Sequence, residues 1–432
     1  MKNIVLKSVS AQNFGSFADK ISFSTEIDSS KKDRIDNTFE ANERTFNKVS
    51  FLYGANGSGK SFFCKIVREI QRLLTFSPIT ALKNPEQVLS IPQIKGLDKP
   101  VPWFCFDLNF RKEPTTFSIE IIIDEITFSY SSSVRGGEIV YEWLTKKNRR
   151  TETILTRTSS SYKDITVKSD LKEFEQTKHM VKPEALCLPI AAMLNNSTAE
   201  KIISAIHEIR VVNMTAARLQ PTGELNQFSE ERVEKYTKIL RKADPTIKRI
   251  NVKLAEEEVA RQKIDDDFEN KEIIAKQTTV AVQSEHIAYD EAGNDSCEVQ
   301  MSFFNDESLG TIKLFTVLPY LFDALENGGI LIVDEIENGL HLSLVKEIIH
   351  LFLDNKTNPN NAQLICTSHQ PLLLTDEIRR DQVWVVHKNE KGRSAIFRLS
   401  NLKTSRAKVN LSEKIISGAF GCNPDPFFDT CL

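Results

Sequence analysis

The chain contains a glycine-rich loop, Gly54–Ser61, whose residue types and spacing suit the binding of phosphate groups. Its sequence, GANGSGKS, places Lys60 and Ser61 directly after the last glycine. Glycines allow backbone N–H groups to turn inward and surround phosphate oxygens. The lysine would then reach the β- and γ-phosphates of a nucleotide, and the serine hydroxyl would hold Mg²⁺. The pattern predicts that ATP is bound by Gly54, Asn56, Gly57, Ser58, Gly59, Lys60, Ser61 and Phe62.

Two carboxylates follow an apolar run far downstream. The run Gly329–Asp334, GILIVD, ends in Asp334 and continues with Glu335. A carboxylate at the end of a buried strand is costly without a partner, and Mg²⁺ beside the phosphates would be that partner. Asp334 would bind the metal, mostly through water, and Glu335 would polarise the attacking water. The alternative is that the strand simply leads into an acidic loop and binds no metal. The phosphate loop in the same chain argues against this alternative.

A histidine follows a third apolar run, Gln363–His369, QLICTSH. A lone histidine at the end of a strand is more often structural. This chain, however, resembles ATP-binding cassette ATPases in the motifs already described. In those proteins a histidine in this position contacts the γ-phosphate and the attacking water, and the resemblance therefore implies a catalytic role for His369.

A fourth motif lies shortly before the carboxylate strand. The segment Glu307–Leu325, ESLGTIKLFTVLPYLFDAL, reads as an apolar helix with Ser308 as its N-cap. Cassette ATPases present a serine–glycine helix start at this position to ATP held by another subunit. The resemblance implies that Ser308 and Gly310 close on the γ-phosphate of a second copy. The chain departs from the Leu-Ser-Gly-Gly-Gln consensus at Glu307, Leu309 and Thr311.

Several elements must position these residues. The loop lies between a predicted strand, Val49–Tyr53, and a predicted helix, Phe62–Leu74, which is the context that its pattern requires. Alternation in the N-terminal stretch predicts strands over 4–23, with the turn Asn13–Phe17, NFGSF, near the adenine and ribose. Four runs within 103–144, WFCFDLNF, TTFSIEIII, ITFSYSS and EIVYEWL, predict an antiparallel sheet.

The motif positions predict an α/β fold, an ABC-type P-loop ATPase head with a mixed parallel sheet, flanking helices and an antiparallel β arm. Residues 1–182 would form the N-terminal lobe and 281–432 the C-terminal lobe. Residues 183–280 are predicted to form a compact, mostly helical lid. The charged segment Leu254–Lys276 lacks sustained heptads, which argues against a long coiled coil.

Composition excludes several classes of protein. The 432 residues carry a net charge of −3, which does not favour tight, nonspecific binding to nucleic acid. No apolar run has membrane-spanning length, and the N-terminus does not read as a signal peptide. The seven cysteines contain no CxxC pair, which indicates a reducing compartment. We therefore expect a cytoplasmic protein without membrane contacts.

The chain resembles, over nearly its whole length, the compact cassette ATPases of bacterial anti-phage systems. These include the RloA and AbiL-like ATPases, the ATPase half of overcoming-lysogenization-defect nucleases and the ATPase component of the PARIS system. The segments that carry the resemblance are ESLGT, VDEIENGLH, NAQLICTSHQPLLL, RRDQVWVVHK and EKIISGAFGCNP. His341 matches a leucine–histidine pair that opens a helix in the family, whereas Leu309 and Gln370 are departures.

This resemblance implies an ATP- and Mg²⁺-dependent switch that forms a homo-oligomer through ATP held between two heads. It would control a separate toxic effector, of the Toprim nuclease type, in response to a phage component. Too few residues follow His369 for a fused Toprim domain. The alternative is a DNA-repair clamp of the RecF or SMC kind, which shares every nucleotide motif. A transporter motor is disfavoured because the segment between Lys60 and Ser308 is too long.

Overall fold

The computed structural model describes residues 4–28, 34–80, 100–215, 228–266, 269–375, 377–402 and 413. Apart from Glu413, the closing segment Glu413–Pro424 of the sequence analysis lies outside these residues. The helices are α1 Lys60–Thr80, α2 Cys187–Met193, α3 Ser197–His207, α4 Glu230–Ala243, α5 Phe303–Asp306, α6 Leu309–Asn327 and α7 Leu342–Leu353. The strands are β1 Ile4–Gln12, β2 Ile21–Ser24, β3 Thr38–Ala41, β4 Arg44–Asn47, β5 Val49–Tyr53, β6 Thr115–Ile123, β7 Ile126–Arg135, β8 Glu138–Lys147, β9 Thr151–Arg157, β10 Ile165–Val167, β11 Arg210–Asn213, β12 Ile247–Asp266, β13 Glu269–Tyr289, β14 Asp295–Ser302, β15 Ile330–Asp334, β16 Gln363–Ser368, β17 Val383–Lys388 and β18 Ser394–Arg398.

A six-stranded sheet with the order β11-β15-β16-β5-β17-β18 forms the centre of the molecule. Its strands are parallel except for β18, which pairs antiparallel with β17. Every residue of β5, β15 and β16 is buried, as expected for continuous apolar strands covered on both faces. Because these three neighbours are parallel, the loops after Tyr53, Asp334 and Ser368 leave the sheet at the same edge.

A seven-stranded antiparallel sheet, in the order β10-β9-β8-β7-β6-β1-β2, forms the predicted β arm. The turn Asn13–Phe17 joins β1 to β2, as predicted. The run WFCFDLNF, however, is not a strand, and the prediction for it is wrong. The Asn13 side chain holds this run as a loop, since it accepts from Phe104 N and donates to the Phe110 carbonyl.

Two apolar cores lie on opposite faces of the central sheet. The first joins α1, α2 and α3 to the antiparallel sheet and includes Phe63, Ile119 and Ile202. The second lies beneath α4, α6 and α7 and includes Tyr236, Phe315 and Phe352. The predicted α/β fold with a β arm is confirmed. Among the described helices, none is both long and apolar enough to span a membrane.

The predicted lid differs from the structure. Strands β12 and β13 form a long antiparallel ribbon from Ile247↔His286 to Asp266↔Glu269, so the prediction of a mostly helical segment is wrong there. Ribbon pairing depends on backbone hydrogen bonds between residues distant in sequence, and it can override the helix propensity of charged residues. Residue 183 is also not a structural boundary. Helices α2 and α3 belong to the first core, and β11 is an edge strand of the central sheet.

Candidate nucleotide-binding and catalytic site

The glycine loop is packed against its neighbours at positions that exclude a side chain. A Cβ at Gly54 would lie 2.3 Å from the Val386 carbonyl oxygen of β17. Gly59 has φ +114°, and a Cβ there would lie 2.6 Å from Ser16 Oγ. Close packing requires glycine at Gly54, and close packing together with the positive φ requires it at Gly59. The backbone of the loop is therefore held by the sheet and by the β1–β2 turn.

The other side of the loop borders open space. A cavity of about 270 Å³ is lined by Ala55–Ser58 of the loop and by Val386–Asn389 at the end of β17. Asn56 and Gly57, both predicted to bind nucleotide, line this cavity. Phe62 faces the turn between β1 and β2 instead, where its ring lies edge-on to Phe14 with centroids 6.1 Å apart.

Lys60 is the first residue of α1, and its side chain is 3% exposed. Its Nζ donates to the carbonyl oxygens of Gly54, at 2.8 Å, and Ala55, at 3.2 Å. It also lies 3.8 Å from Glu335 Oε1. The ammonium group therefore lies between the glycine loop and the carboxylate that follows β15. This position suits a cation that binds the terminal phosphates of a nucleotide.

Asp334 ends β15 and is buried. Its Oδ1 accepts a hydrogen bond of 2.7 Å from Thr367 Oγ1, which belongs to β16. Burial, and then the negative charge of Asp334, raise the pKa of the Cys64 thiol, so the carboxylate lies close to the first turn of α1. Ser61 is one turn before Cys64 in that helix. A carboxylate and a hydroxyl are hard oxygen ligands, and the pair fits Mg²⁺.

Glu335 adopts a left-handed backbone conformation with φ +56°. Its Oε2 lies 3.0 Å from His369 Nδ1, and its backbone N–H donates to Thr367 Oγ1 at 2.8 Å. A non-glycine residue with positive φ is sterically unfavourable and requires support from its surroundings. Lys60, Thr367 and His369 provide that support, and they fix the carboxylate within reach of the glycine loop.

A second carboxylate, Glu337, also contacts the histidine. Its Oε1 lies 3.1 Å from His369 Nδ1 and accepts from the His369 backbone N–H at 2.7 Å and from Ser368 Oγ at 2.9 Å. Ligand atoms of Glu335, Glu337 and His369 all lie within 4.8 Å of one another. The same imidazole nitrogen therefore lies within 3.1 Å of an oxygen from each of the two carboxylates.

The helix start predicted from Ser308 is present. Ser308 caps α6, and its Oγ accepts from Thr311 N at 3.2 Å. Gly310 packs against the turn after Glu335, since a Cβ there would lie 2.9 Å from the Gly339 carbonyl oxygen. One turn further along α6, Lys313 donates to Asn338 Oδ1 in the same turn, and burial lowers the pKa of this lysine.

The residue before the cap is tied to the β ribbon. Glu307 Oε1 accepts from Ser284 Oγ and lies 2.7 Å from His286 Nε2, both on β13. The Glu307 side chain is only 5% exposed. Glu307 stands where the cassette consensus has leucine, and its carboxylate forms a buried polar contact between the ribbon and the start of α6.

The structure brings together the loop, Lys60, Asp334, Glu335 and His369 at one edge of the central sheet. Ser308 and Gly310 lie on the far side of the turn Ile336–Leu340, at the exposed start of α6. Glu337 and Thr367 were not identified from the sequence. The sequence gives one sign of them: each lies within two residues of a predicted site residue, Glu337 of Glu335 and Thr367 of His369. Which of the nearby carboxylates and hydroxyls face the site depends on the pairing between β15 and β16, which the sequence does not show.

The parallel sheet, the glycine loop with its buried lysine, and the carboxylates at the adjacent strand end define the class of P-loop ATPases. A family model described as "AAA domain, putative AbiEii toxin, Type IV TA system" matches residues 49–177 and 217–375, more than half of the chain. The chain therefore belongs to this AAA-domain family, whose description names a putative AbiEii toxin and a type IV toxin–antitoxin system.

Comparisons with curated proteins and with solved structures do not narrow the function. No curated protein matches the chain. The SMC head domain from Thermotoga maritima is similar at 11% sequence identity, with a TM-score of 0.31, over 91% of this chain and 98% of that chain. Similarity at this level says nothing about activity. The narrower resemblance to the RloA, AbiL and PARIS ATPases stays a prediction.

Proposed function

We propose that this chain binds ATP with Mg²⁺ and hydrolyses it. The observation that carries the proposal is the position of Glu335, between Lys60 of the glycine loop and His369. Lys60 would bind the β- and γ-phosphates, and Ser61 and Asp334 would hold the metal. When bound, Mg²⁺ would neutralise charge on the phosphate oxygens.

Glu335 is the residue proposed to take the proton from the attacking water. Its carboxylate is partly buried and lies 3.8 Å from Lys60 Nζ, beside the loop that would hold the phosphates. His369 is half exposed beside it and would contact the γ-phosphate and the water. Positioning and electrostatic stabilisation supply most of the rate enhancement in phosphoryl transfer.

The oligomeric state proposed is a pair of heads with ATP between them. In each chain Ser308 and Gly310 form the exposed N-terminal end of a 19-residue helix. Helix N-termini carry partial positive charge and unpaired N–H groups, which favour a bound phosphate. We propose that this end of α6 contacts the γ-phosphate held by the glycine loop of the second copy.

The biological role proposed is a cytoplasmic switch subunit in an anti-phage complex that controls a separate toxic effector of the Toprim nuclease type. The family description, which names a putative AbiEii toxin and a type IV toxin–antitoxin system, supports this role. The net charge of −3 is less favourable to a DNA-repair clamp, which needs a basic face.

The hydrolysis proposal is tested with Lys60→Ala, Glu335→Gln and the matched control Glu347→Gln, an exposed glutamate on α7. We expect Lys60→Ala to lose ATP binding in calorimetry. Glu335→Gln should bind ATP and turn it over at least about a hundredfold more slowly, because the base is lost. Glu347→Gln should behave as the parent. Equal turnover in Glu335→Gln and the parent would remove Glu335 from the role of base.

The role in defence is tested by purifying Glu335→Gln with ATP and Mg²⁺ from cells that express its neighbouring genes. Mass spectrometry then identifies what copurifies. We expect a stoichiometric second protein with the carboxylate cluster of a nuclease. Recovery of DNA without a second protein would overturn this role in favour of the repair clamp.

A further inference from the structure

Glu337 makes more polar contacts than Glu335 with the residues at the end of β16, Ser368 and His369. One oxygen, Oε1, lies within 3.1 Å of three donors: His369 Nδ1, the His369 backbone N–H and Ser368 Oγ. The Glu337 side chain is 10% exposed, whereas the His369 side chain is 48% exposed. A nearly buried carboxylate therefore holds the backbone of an accessible histidine and lies close to its ring.

The contacts of Nδ1 determine the state of the imidazole. Nδ1 is hydrogen-bonded to Glu335 Oε2 at 3.0 Å, and Glu337 Oε1 lies 3.1 Å away. Both are carboxylate oxygens, which only accept hydrogen bonds when ionised. Nδ1 must therefore carry the hydrogen. In the neutral ring this leaves the lone pair on Nε2, so that Nε2 is the nitrogen available to a ligand.

The second carboxylate oxygen beside this N–H matters when Glu335 acts as the base. A base that takes a proton from water must turn its oxygen toward that water, and Glu335 would then release His369. Glu337 Oε1, 3.1 Å from the same nitrogen, is then available to accept the N–H, which would keep the ring in its orientation and tautomer.

We propose that Glu337 is a positioning residue for ATP hydrolysis, acting through His369. It holds the imidazole as the Nδ1–H tautomer with Nε2 available to the nucleotide, and it leaves Glu335 free to act as the base. This inference rests on the proposed ATPase function, but its first test does not require hydrolysis.

The first test is ¹⁵N NMR of histidine-labelled protein, with the His369 signals assigned from His369→Ala. The variant Glu335→Ala removes one acceptor and leaves Glu337. We expect His369 to remain in the Nδ1–H form in this variant and to change to the tautomer mixture of an unconstrained ring in Glu335→Ala/Glu337→Ala. An unconstrained mixture already present in Glu335→Ala would overturn the proposal.

The second test separates positioning from a structural role. We expect Glu337→Ala to lower kcat roughly tenfold or more with KM for ATP unchanged, as is usual when a supporting hydrogen bond is lost. In a His369→Ala background the same substitution should have no further effect on kcat. Glu337→Gln keeps an oxygen acceptor and should restore most of the rate.

Ser368→Ala is the matched control, because it removes another bond to Glu337 Oε1 but leaves the contact with the ring. We expect its kcat to stay within about threefold of the parent. An equal loss from Glu337→Ala with and without His369 would assign Glu337 a role independent of the histidine. A parent protein without ATPase activity would instead contradict the proposed function and leave the NMR result to decide the tautomer.

Discussion

At the scale of single residues, Thr367 fixes the relative position of the two carboxylates. Its hydroxyl donates to Asp334 Oδ1 and accepts from the Glu335 backbone N–H, so it uses both hydrogen-bonding capacities of one oxygen. The residue itself is fully buried on β16, the strand next to β15. The geometry of the proposed metal ligand, Asp334, and of the proposed base, Glu335, therefore depends on a residue of the neighbouring strand.

We predict that Thr367→Val destabilises the protein by about 1–3 kcal/mol, because it leaves a buried carboxylate oxygen and a backbone N–H without their partner. Denaturant unfolding measures this change, and the turnover of ATP should fall as well. Thr166→Val, at an exposed position of β10, is the control and should have little effect. A fully stable and active Thr367→Val would show that these two bonds are not needed.

A second prediction concerns His207 and pH. Burial, and then the charge of Arg210, lower the pKa of His207 below its usual value of 6.5. Below pH 6.5 the unfolded state therefore binds more protons than the folded state, and stability decreases as the pH falls. We expect the Tm of His207→Gln to fall less than the Tm of the parent when the pH is lowered from about 7.5 to 5.5. The Tm of His179→Gln, a control at an exposed site, should fall as much as that of the parent.

At the scale of elements, the start of α6 and the turn after β15 behave as one unit. Gly310 faces the Gly339 carbonyl, and Lys313 bonds to Asn338. A displacement of the turn that carries Glu335 and Glu337 would therefore move the helix end that is proposed to face the second head. This contact joins the two halves of the proposed composite site within a single chain.

We predict that Gly339→Ala lowers stability by more than about 1 kcal/mol and slows ATP turnover without preventing ATP binding. Gly339 has φ +81°, and a Cβ there would lie 2.6 Å from Lys313 Cδ. Gly293 also has φ +81° but lies in open space, so Gly293→Ala carries the same backbone strain without the clash. Equal effects of the two substitutions would show that the contact with Lys313 is unimportant.

The elements also show what sequence reasoning could and could not find. Strand β5, helix α1 and the cap of α6 were predicted because each signal is local: an apolar run, a glycine loop, a serine before a helix. The ribbon of β12 and β13 was missed because a charged segment with high helix propensity gives no local sign of its partner strand. Roles such as that of Glu337 depend on contacts between residues about 30 positions apart, which one sequence does not reveal.

At the scale of the whole molecule, the proposed pairing of two heads gives a testable result for Ser308. We predict that Ser308→Arg leaves ATP binding by one chain intact and prevents ATP-dependent dimerisation, because a bulky cation replaces the hydroxyl at the helix end. Light scattering with and without ATP measures the oligomer. Ser308→Thr retains a capping hydroxyl and should dimerise as the parent does. A dimer formed by Ser308→Arg would contradict the proposed interface.

The ribbon gives the molecule a long reach. Its strands have 20 and 21 residues, which at about 3.3 Å per residue correspond to an arm of roughly 65 Å. Near the base of the ribbon, Ser284 and His286 contact Glu307, the residue next to the cap of α6. A tilt of about one degree at the base moves the far end by roughly 1 Å over such a length. A load on the distant end would therefore act on the contacts at the base of the ribbon, which include the buried Glu307 carboxylate beside the start of α6.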